Sequence, residues 1–495
     1  MAVNYFPKLS NENDKVALVE GDQSYSYGAV NECIGRFATG LLAGKTDLEE
    51  ERIAFFIPAS LDYVTALHGV WRAGGIAVPL NVASAVAELD HYLSCASVTR
   101  MIANSEYHEA LSELCASLNI ELVSVDQVLA DSVEALPEID ETRRAMMLFT
   151  SGTTNKPKGV VSTHKTIKAQ ITTLIDAWEW SEHDVIPLFL PLHHIHGIIN
   201  ILSCGLWAGA TVHLFSKFDI PRITEQVTSG TFNVFMAVPT IYVKLIQYFD
   251  SIDTATVRAI CDGFAEMRLN ISGSAACPIK LFEQWQELTG QVLLERYGMT
   301  EIGMGISNPY NGERRAGCVG QALPGVEVQL FNEYDSPITE EALAGEIRIK
   351  GDNVFLEYWD NPKATSESFK DGWFCTGDVA VAEDGFYRIM GRSSVDIIKS
   401  GGYKLSALEI EGVLLTHDDI AEVAVIGVPD DTWGEAVTAF IGLKPGASSL
   451  EYEDLKTWCE GRMSSYKIPK HIKLVDALPR NAMGKVTKPA LKEQV

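Results

Sequence analysis

Residues 148 to 161 read Leu-Phe-Thr-Ser-Gly-Thr-Thr-Asn-Lys-Pro-Lys-Gly-Val-Val, a polar run between two apolar ends. The ends predict two β-strands, and the nine polar, Gly or Pro residues from Ser151 to Gly159 predict the loop that joins them. Such a loop offers backbone N–H groups, hydroxyls and the ammonium groups of Lys156 and Lys158 to a triphosphate. The helix-opening P-loop spacing is absent, and a plain hairpin turn is the alternative.

Short runs of β-branched and aromatic residues alternate with helix-like stretches on both sides of this loop. The pattern predicts strands at residues 52–57, 211–215 and 234–238 and helices at residues 61–72 and 241–249. Alternation of this kind favours an α/β fold, in which helices cover layered sheets.

The pattern of the sequence changes after residue 325. The segments 326–331 and 345–350 alternate apolar and polar residues, which predicts antiparallel strands of a small β module. Beyond residue 392 a further compact pattern predicts a small α+β domain. Its predicted elements are helices at residues 408–415 and 450–463 and strands at residues 421–428 and 437–443.

A chain of 495 residues exceeds the length that one hydrophobic core usually supports. We therefore predict a large domain over residues 1–391, a hinge at residues 392–394 and a small domain over residues 395–495. Because the linker is short, we expect the small domain to swing over the large one about this hinge.

Acidic residues outnumber basic ones by 66 to 40, which gives a formal net charge of -26. This charge repels phosphate backbones and anionic lipid surfaces, so nucleic acid and membranes are poor partners. The most apolar stretch, residues 185–210, is interrupted by Pro187, Pro191 and three histidines. Interruptions of this kind are typical of a buried segment rather than of a bilayer-spanning helix.

The nine cysteines, from Cys33 to Cys459, are scattered and never spaced as Cys-x-x-Cys. Neither a zinc site nor a disulfide framework is indicated, and a reducing compartment fits this usage. The first residues carry no signal-peptide or transit-peptide pattern. We expect a cytoplasmic protein, with a mitochondrion or a plastid as the alternative if a targeting segment precedes residue 1.

Seven further short motifs follow the loop along the chain. Each is a weak signal alone, but their order after Thr150–Gly159 resembles that of the adenylate-forming superfamily of acyl-CoA synthetases, luciferases and non-ribosomal-peptide adenylation domains. One departure is Asn155, which stands where the family usually has Gly; Asn tolerates a positive φ, so the loop geometry can survive. The motifs are Leu190–Gly197, Ile271–Ala275, Glu295–Glu301, Thr376–Asp378, Gly391–Arg392, Ser400–Lys404 and Pro479–Lys485.

The resemblance covers nearly the whole chain and implies that ATP, with Mg²⁺, activates a carboxylic acid as an acyl-AMP before the acyl group passes to CoA. It implies that Lys485 bridges the carboxylate and the α-phosphate, that Thr300 contacts phosphate and that Glu301 holds Mg²⁺. These groups offset the repulsion between the attacking carboxylate and the triphosphate. By the same resemblance, ATP is bound by Thr150, Ser151, Gly152, Thr153, Thr154, Asn155, Lys156, Pro157, Lys158, Ser274, Ala275, Tyr297, Asp378 and Arg392.

The segment from Lys399 to Tyr403, with Gly401 and Gly402 inside it, resembles the loop that enters the site after the small domain rotates. Two glycines allow close approach to the thin pantetheine arm of CoA, and a tight hairpin turn is the alternative. Rotation would let Lys485 serve adenylation and this loop serve thioester formation. Two of these roles have a simpler alternative: Glu301 could cap a helix, and Asp378 and Arg392 could form a surface ion pair.

Arg296 precedes the Tyr-Gly-Met-Thr-Glu run, at a position where most relatives carry a small or neutral residue. A buried guanidinium requires an anionic partner, because an unpaired buried charge is costly. A second carboxylate on the substrate would supply a bidentate partner, and malonate is the short diacid that fits. The alternative is that Arg296 pairs with Glu295, Glu301 or Glu313 and never meets substrate.

Arg268 and Arg315 are additional candidates for the distal carboxylate, and His194 resembles the family's gate residue beside the acyl pocket. His193 and His196 could serve packing or hydrogen bonding. The three histidines do not indicate a metal site, because they cannot all face one ion and no nearby Asp, Glu or Cys completes a ligand set.

The segments 295–304, 312–320 and 395–409 resemble malonyl-CoA synthetases, particularly the eukaryotic ones. With Arg296 they predict a malonate–CoA ligase, with methylmalonate as a second substrate, acting as a monomer or homodimer. Malonate breakdown and supply of malonyl-CoA for fatty acid synthesis are both compatible physiological roles for such an enzyme. The alternatives are a synthetase for acetate, propionate or an aromatic acid, an enzyme that loads a carrier protein, and a non-catalytic nucleotide-binding sensor.

Overall fold

The computed structural model of the protein describes residues 6–150, 157–400, 403–430, 432–447, 449–480 and 486–494. These residues form five β-sheets with helices packed against them. The mixed α/β class predicted from the sequence is confirmed, and so is the division into a large N-terminal part and a small C-terminal part.

The N-terminal part alternates strands and helices as predicted, and the helix predicted at residues 61–72 has those bounds. It begins where the Ser60 hydroxyl accepts the Tyr63 N–H, which satisfies one of the unpaired donors of the first turn. Up to the phosphate loop the elements are β1 Val16–Glu20, β2 Gln23–Ser26, α1 Tyr27–Leu42, β3 Arg52–Phe56, α2 Leu61–Arg72, β4 Ile76–Pro79, α3 Val86–Cys95, β5 Arg100–Ala103, a 3₁₀ turn Ser105–Tyr107, α4 His108–Ser117, β6 Glu121–Val123, α5 Val125–Val128 and β7 Arg144–Thr150.

The next part of the chain contains the predicted buried segment 185–210, which folds as a strand, a π-helix and a short helix. No helix in the described ranges has the length and apolarity to cross a membrane. The elements are β8 Lys158–Thr163, α6 His164–Ala177, β9 Val185–Leu188, the π-helix His196–Ser203, α7 Cys204–Ala208, β10 Thr211–Leu214, α8 Ile220–Thr228, β11 Val234–Ala237, α9 Pro239–Phe249, α10 Thr254–Ala265, β12 Leu269–Ser272, α11 Ile279–Thr289, β13 Leu294–Met299, β14 Gly303–Ser307 and β15 Gln321–Ala322.

The predicted antiparallel module after residue 325 is present, and the predicted α+β elements follow it. The helix predicted at residues 450–463 is shorter than expected, because the backbone leaves the helical conformation at Glu460, with a ψ of 130°, and turns at Gly461, with a φ of +77°. The elements are β16 Glu327–Phe331, β17 Gly345–Lys350, β18 Glu357–Tyr358, α12 Pro362–Glu367, β19 Phe369–Lys370, β20 Trp373–Glu383, β21 Phe386–Arg392, β22 Ile397–Ser400, β23 Tyr403–Ser406, α13 Ala407–Leu414, β24 Ile420–Asp430, β25 Gly434–Leu443, α14 Tyr452–Cys459, β26 His471–Leu474 and α15 Lys488–Lys492.

Two sheets of the N-terminal part carry the motifs. One has the strand order β18-β8-β7-β4-β3-β5-β6, and within it β7 and β8 pair as an antiparallel hairpin across the phosphate loop. The other has the order β11-β12-β13-β14-β15, in which β11, β12 and β13 are parallel. Because the carboxyl ends of parallel strands meet at one edge of a sheet, the segments after β12 and β13 lie side by side.

The chain passes from one of the remaining sheets to another at residues 392–397. Strands β16, β17, β19, β20 and β21 form one antiparallel sheet, and β22 to β26 form another with its own core around Ile410, Val425 and Ile441. A small cluster of Val379, Val381 and Met390, with Ile397 packed against it, joins the two.

Candidate active site

Tyr297, Asp378 and Arg392 come together at the junction of two sheets. Tyr297 is on β13 and its hydroxyl donates to Asp378 Oδ2 at 2.6 Å. Asp378 and Arg392 are cross-strand partners in β20 and β21, with 3.3 Å between Arg392 Nε and Asp378 Oδ1. Asp378 is only 7% exposed, so this is not an ordinary surface ion pair. Burial raises the pKa of the Asp378 carboxyl, against the opposing effects of Arg392 and Tyr297.

Glu301 lies in the turn between β13 and β14, next to the partly buried Thr300. Its carboxylate is buried and accepts the Tyr358 hydroxyl at 2.9 Å. Burial raises the pKa of Glu301, whereas the hydrogen bond from Tyr358 and the charges of Arg392 and Lys158 act to lower it. The charge of Arg392 thus acts on Glu301 as well as on Asp378. Because Glu301 lies between two strands, the helix-cap alternative is wrong.

Tyr358 is a site residue that the sequence did not indicate. It is on the two-residue strand β18, which pairs with β8 so that Tyr358 lies opposite Val160. Lys158 is two residues before Val160 on the same face of β8, and its ammonium lies 4.9 Å from the centre of the Tyr358 ring. Because β18 and β8 are about two hundred residues apart in the sequence, their pairing leaves no local signal at residue 358.

The phosphate loop itself is described only at its ends. Thr150 and Lys158 face each other as the last paired residues of β7 and β8, and the Pro157 carbonyl contacts His91 Nε2 at 3.0 Å. Several predicted residues lie outside the described ranges: Ser151, Gly152, Thr153, Thr154, Asn155, Lys156, Gly401, Gly402 and Lys485.

A magnesium ion is implied by the superfamily, and Glu301 is the residue that fits it. No group of three or more Asp, Glu, His or Cys side chains in the described part of the chain is placed to hold a metal. Mg²⁺ is commonly held by one or two carboxylates together with substrate phosphates. A single buried carboxylate near Lys158 is consistent with a metal that arrives on ATP.

Arg296, Ser274 and His196 form the second half of the site. Arg296 is on β13 and only 4% exposed, and its Nη2 donates to Ser274 Oγ at 3.4 Å. Ser274 follows β12 with a φ of +66° and its hydroxyl lies 3.2 Å from His196 Nδ1. Burial lowers the pKa of Arg296 to about 9, so the guanidinium remains charged at neutral pH. Gly273 leaves room for this guanidinium, because a Cβ atom at residue 273 would lie 2.6 Å from Arg296 Cζ in its present position.

No carboxylate pairs with Arg296 among the described residues, so the plain ion-pair alternative is wrong. Glu295 points to the other face of β13 and accepts the Gly317 N–H at 3.3 Å. Glu301 is bonded to Tyr358, and Glu313 to Arg315. The Nε atom of Arg296 has no hydrogen-bond partner in the described structure.

Arg268 and Arg315, predicted as candidates for the distal carboxylate, do not reach this place. Arg268 donates two hydrogen bonds of 2.6 and 2.7 Å to Asp184. Arg268 stands before β12, whereas Ser274 stands after it. Six extended residues put these positions roughly 20 Å apart. Arg315 is ion-paired with Glu313 and Asp384 at 2.9 and 3.2 Å.

The other predicted residues occupy three places. Ala275 is exposed in the segment after β12, and the His194 ring lies 4.1 Å from that of His193, both just before the π-helix. Lys399 is exposed on β22, where its N–H donates to Glu435. Tyr403 stacks on Tyr466 with ring centres 4.4 Å apart, and no contact joins it to Glu301 or Asp378 among the described residues.

Glu295 makes a pH-dependent contribution to stability that a single substitution tests. Burial raises its pKa from 4.5 to about 7, so between these values the folded protein holds a proton that the unfolded chain has released. The free energy of unfolding therefore falls as pH rises through this window. We expect Glu295→Gln to remove this component, worth at most about 3 kcal/mol, in urea unfolding of both proteins at pH 5.5 and 8. Equal slopes for the two proteins would contradict the assignment.

Known proteins share this fold and a large part of this sequence. Residues 7–359 match the family model of AMP-binding enzymes, and residues 409–485 match that of the AMP-binding enzyme C-terminal domain. A mitochondrial malonate–CoA ligase of Mus musculus is 42% identical over 97% of this chain and 89% of its own length.

Solved structures extend the likeness. MatB of Rhodopseudomonas palustris with ATP bound is 32% identical and superposes with a TM-score of 0.90 over 100% of this chain and 99% of that one. A malonyl-CoA ligase in a ternary product complex with methylmalonyl-CoA and AMP is 33% identical, with a TM-score of 0.71 over 96% of this chain and 100% of that one. The chain thus belongs to the family of AMP-binding enzymes.

Proposed function

We propose that this AMP-binding enzyme is a malonate–CoA ligase, which converts malonate, ATP and CoA to malonyl-CoA, AMP and pyrophosphate. The observation that carries the proposal is Arg296, a buried guanidinium without a carboxylate partner in the described structure. A buried cation of this kind is stable only when an anion completes it. A diacid brings that anion and still has a second carboxylate to react.

In the first step a malonate oxygen attacks the α-phosphorus of ATP and the bond to pyrophosphate breaks. We propose that Lys158, Thr300 and the phosphate loop bind the phosphates, and that Asp378 accepts the ribose hydroxyls beside Tyr297 and Arg392. Glu301 would hold Mg²⁺, which supplies positive charge to the phosphates. Lys485, outside the described residues, is proposed to bridge the carboxylate and α-phosphate oxygens.

In the second step the CoA sulfur attacks the acyl carbon, and the bond from that carbon to the AMP oxygen breaks. We propose that residues 392–394 are the hinge between a domain over residues 1–391 and one over residues 395–495. Support comes from the separate sheets on either side and from the contacts at the junction, where Asp396 accepts the Arg392 N–H at 3.0 Å and the Lys488 ammonium at 2.6 Å. Rotation here would replace Lys485 with the loop of Lys399, Gly401, Gly402 and Tyr403.

The competing functions make different demands on the same pocket. A synthetase for acetate, propionate or an aromatic acid would leave Arg296 unpaired inside an apolar pocket, at a cost of several kcal/mol. Relatives named as malonate–CoA ligases and a solved ligase with methylmalonyl-CoA support malonate and methylmalonate instead. The Mus musculus relative is named as a mitochondrial protein, which favours the mitochondrial alternative over the cytoplasm for this protein as well.

Purified protein is expected to form AMP in an ATP- and CoA-dependent manner with malonate as the preferred acid. The assay compares malonate, methylmalonate, succinate, acetate and propionate at equal concentrations. We expect kcat/KM for malonate to exceed that for propionate at least 100-fold, because an unpaired buried charge costs about 3 kcal/mol or more. Preference for a monocarboxylate would overturn the malonate assignment, and ATP binding without pyrophosphate release would indicate a sensor. Acyl transfer to a carrier protein but not to CoA would indicate the loading enzyme.

A further inference from the structure

The π-helix His196–Ser203 begins at the site and carries the polar residue Asn200 in the middle of an aliphatic run. π-Helices are rare and are found frequently at functional sites. From Ile198 to Leu202 the sequence reads Ile-Ile-Asn-Ile-Leu, so Asn200 is an amide among large aliphatic residues. Asn200 lies close to one helical turn after His196, which places both side chains on the same face.

The polar atoms on this face are buried and without partners. Asn200 is 1% exposed, and neither its Nδ2 nor its Oδ1 atom has a hydrogen-bond partner in the described structure. The same holds for His196 Nε2 and Arg296 Nε. Each buried group left unsatisfied costs about 1–3 kcal/mol. His196 is linked to Arg296 through Ser274, and Asn200 shares a helix face with His196, so a ligand bound beside this chain of contacts is the partner that would complete all three.

The hydrogen bonds around Ser274 favour one tautomer of His196. Arg296 can only donate, so Ser274 Oγ accepts from its Nη2 atom. Ser274 still has its own hydroxyl hydrogen to donate, and His196 Nδ1, 3.2 Å away, is in reach of it. Burial first, and then the charge of Arg296, hold the pKa of His196 well below its ordinary value, so the ring is neutral. A neutral imidazole that accepts at Nδ1 presents an N–H donor at Nε2.

We propose that Asn200 is a specificity-determining residue that donates from its amide to the distal carboxylate of the substrate, beside His196 Nε2 and Arg296 Nε. Rotation of the amide turns Nδ2 toward the ligand. The four lone-pair positions of a carboxylate are enough for these donors. The inference rests on the proposed function and adds to it: the diacid is recognised by neutral donors on the π-helix as well as by one charge on β13.

The test is Asn200→Leu, which keeps the volume of the side chain and removes its donor. The matched control is Asn270→Leu, since Asn270 on β12 is also fully buried with both side-chain polar atoms unpartnered. Side chains alternate along a strand, and Arg296 packs over Gly273, so Asn270 points to the opposite face of the sheet. Both enzymes are assayed with malonate and with propionate, and the KM for ATP is measured in each.

We expect Asn200→Leu to lower kcat/KM for malonate about 10- to 100-fold, mainly through KM, because a hydrogen bond to a charged group is lost. Activity with propionate should stay the same or rise, and the KM for ATP should not change. Asn270→Leu should keep the wild-type ratio of kcat/KM for malonate to kcat/KM for propionate. Should Asn200→Leu not be soluble, Asn200→Ser, whose hydroxyl is too short to reach the same position, is expected to lower the ratio in the same direction.

The inference is overturned if Asn200→Leu keeps the wild-type ratio, or if both variants lose malonate activity equally, as a structural effect would cause. Wild-type protein that does not prefer malonate at all would instead reject the proposed function. The two failures are distinguished by the wild-type substrate panel alone.

Discussion

Replacement of Arg296 by leucine is expected to lower kcat/KM for malonate roughly 100- to 4,000-fold, because removal of one partner of a buried charge pair costs about 3–5 kcal/mol. Activity with propionate should rise, since the pocket no longer contains an unsatisfied guanidinium when a monocarboxylate binds. The thermal midpoint of the free protein should not fall, because Arg296 makes no ion pair among the described residues whose loss would destabilise the fold. Steady-state AMP formation with both acids, together with a melting curve, measures all three effects.

Two other arginines serve as controls, because the sequence suggested them for the same role. Arg315→Leu should leave malonate activity within about twofold, since its partners Glu313 and Asp384 are exposed and such pairs contribute little. Arg268→Leu should lower the thermal midpoint, because Asp184 is 1% exposed and would be left unpaired. Among correctly folded variants, a loss of malonate preference in Arg268→Leu or Arg315→Leu but not in Arg296→Leu would show that the distal carboxylate binds elsewhere.

Replacement of Glu301 by glutamine is expected to reduce AMP formation about 1,000-fold at low millimolar Mg²⁺, with partial recovery at much higher concentrations. The buried carboxylate is the proposed protein ligand of the metal, and an amide keeps its shape but loses its charge. Several kcal/mol of transition-state stabilisation depend on that metal. Initial rates across a Mg²⁺ titration, with ATP held saturating, give the shift in apparent metal affinity.

Tyr358→Phe separates metal binding from the orientation of Glu301. It removes the 2.9 Å hydrogen bond to Glu301 but leaves the carboxylate in place. We expect about a 10-fold weaker apparent affinity for Mg²⁺ with a smaller change in kcat, as is typical when a partner of a metal ligand is removed. If the rate of Glu301→Gln depended on Mg²⁺ as that of the wild type does, Glu301 would not be a ligand of the metal.

The order of short motifs along the chain determined the family and the reaction class before any contact was known. Loops that bind phosphate must be rich in Gly, Ser, Thr and Lys, and these residues leave a local signature, as in Thr150–Gly159. Hydrophobic periodicity likewise predicted α2 and the β16–β17 pair, because residues that face the core recur at the period of the element. Arg296 was singled out because most relatives carry a small or neutral residue before the Tyr-Gly-Met-Thr-Glu run.

Tertiary structure alone decided which charges are satisfied and which are left for a ligand. From the sequence, Arg268, Arg296 and Arg315 were all candidates for the distal carboxylate. Arg268 instead pairs with Asp184 and Arg315 with Glu313, which leaves only Arg296 of the three at the site. Tyr358 reaches Glu301 only because β18 pairs with β8. His196 at the start of the π-helix is linked to Arg296 on β13 only because both contact Ser274, which follows β12. A motif depends on neighbours along the chain and can be read from it. The partner of a buried polar group depends on segments that meet only when the sheets assemble.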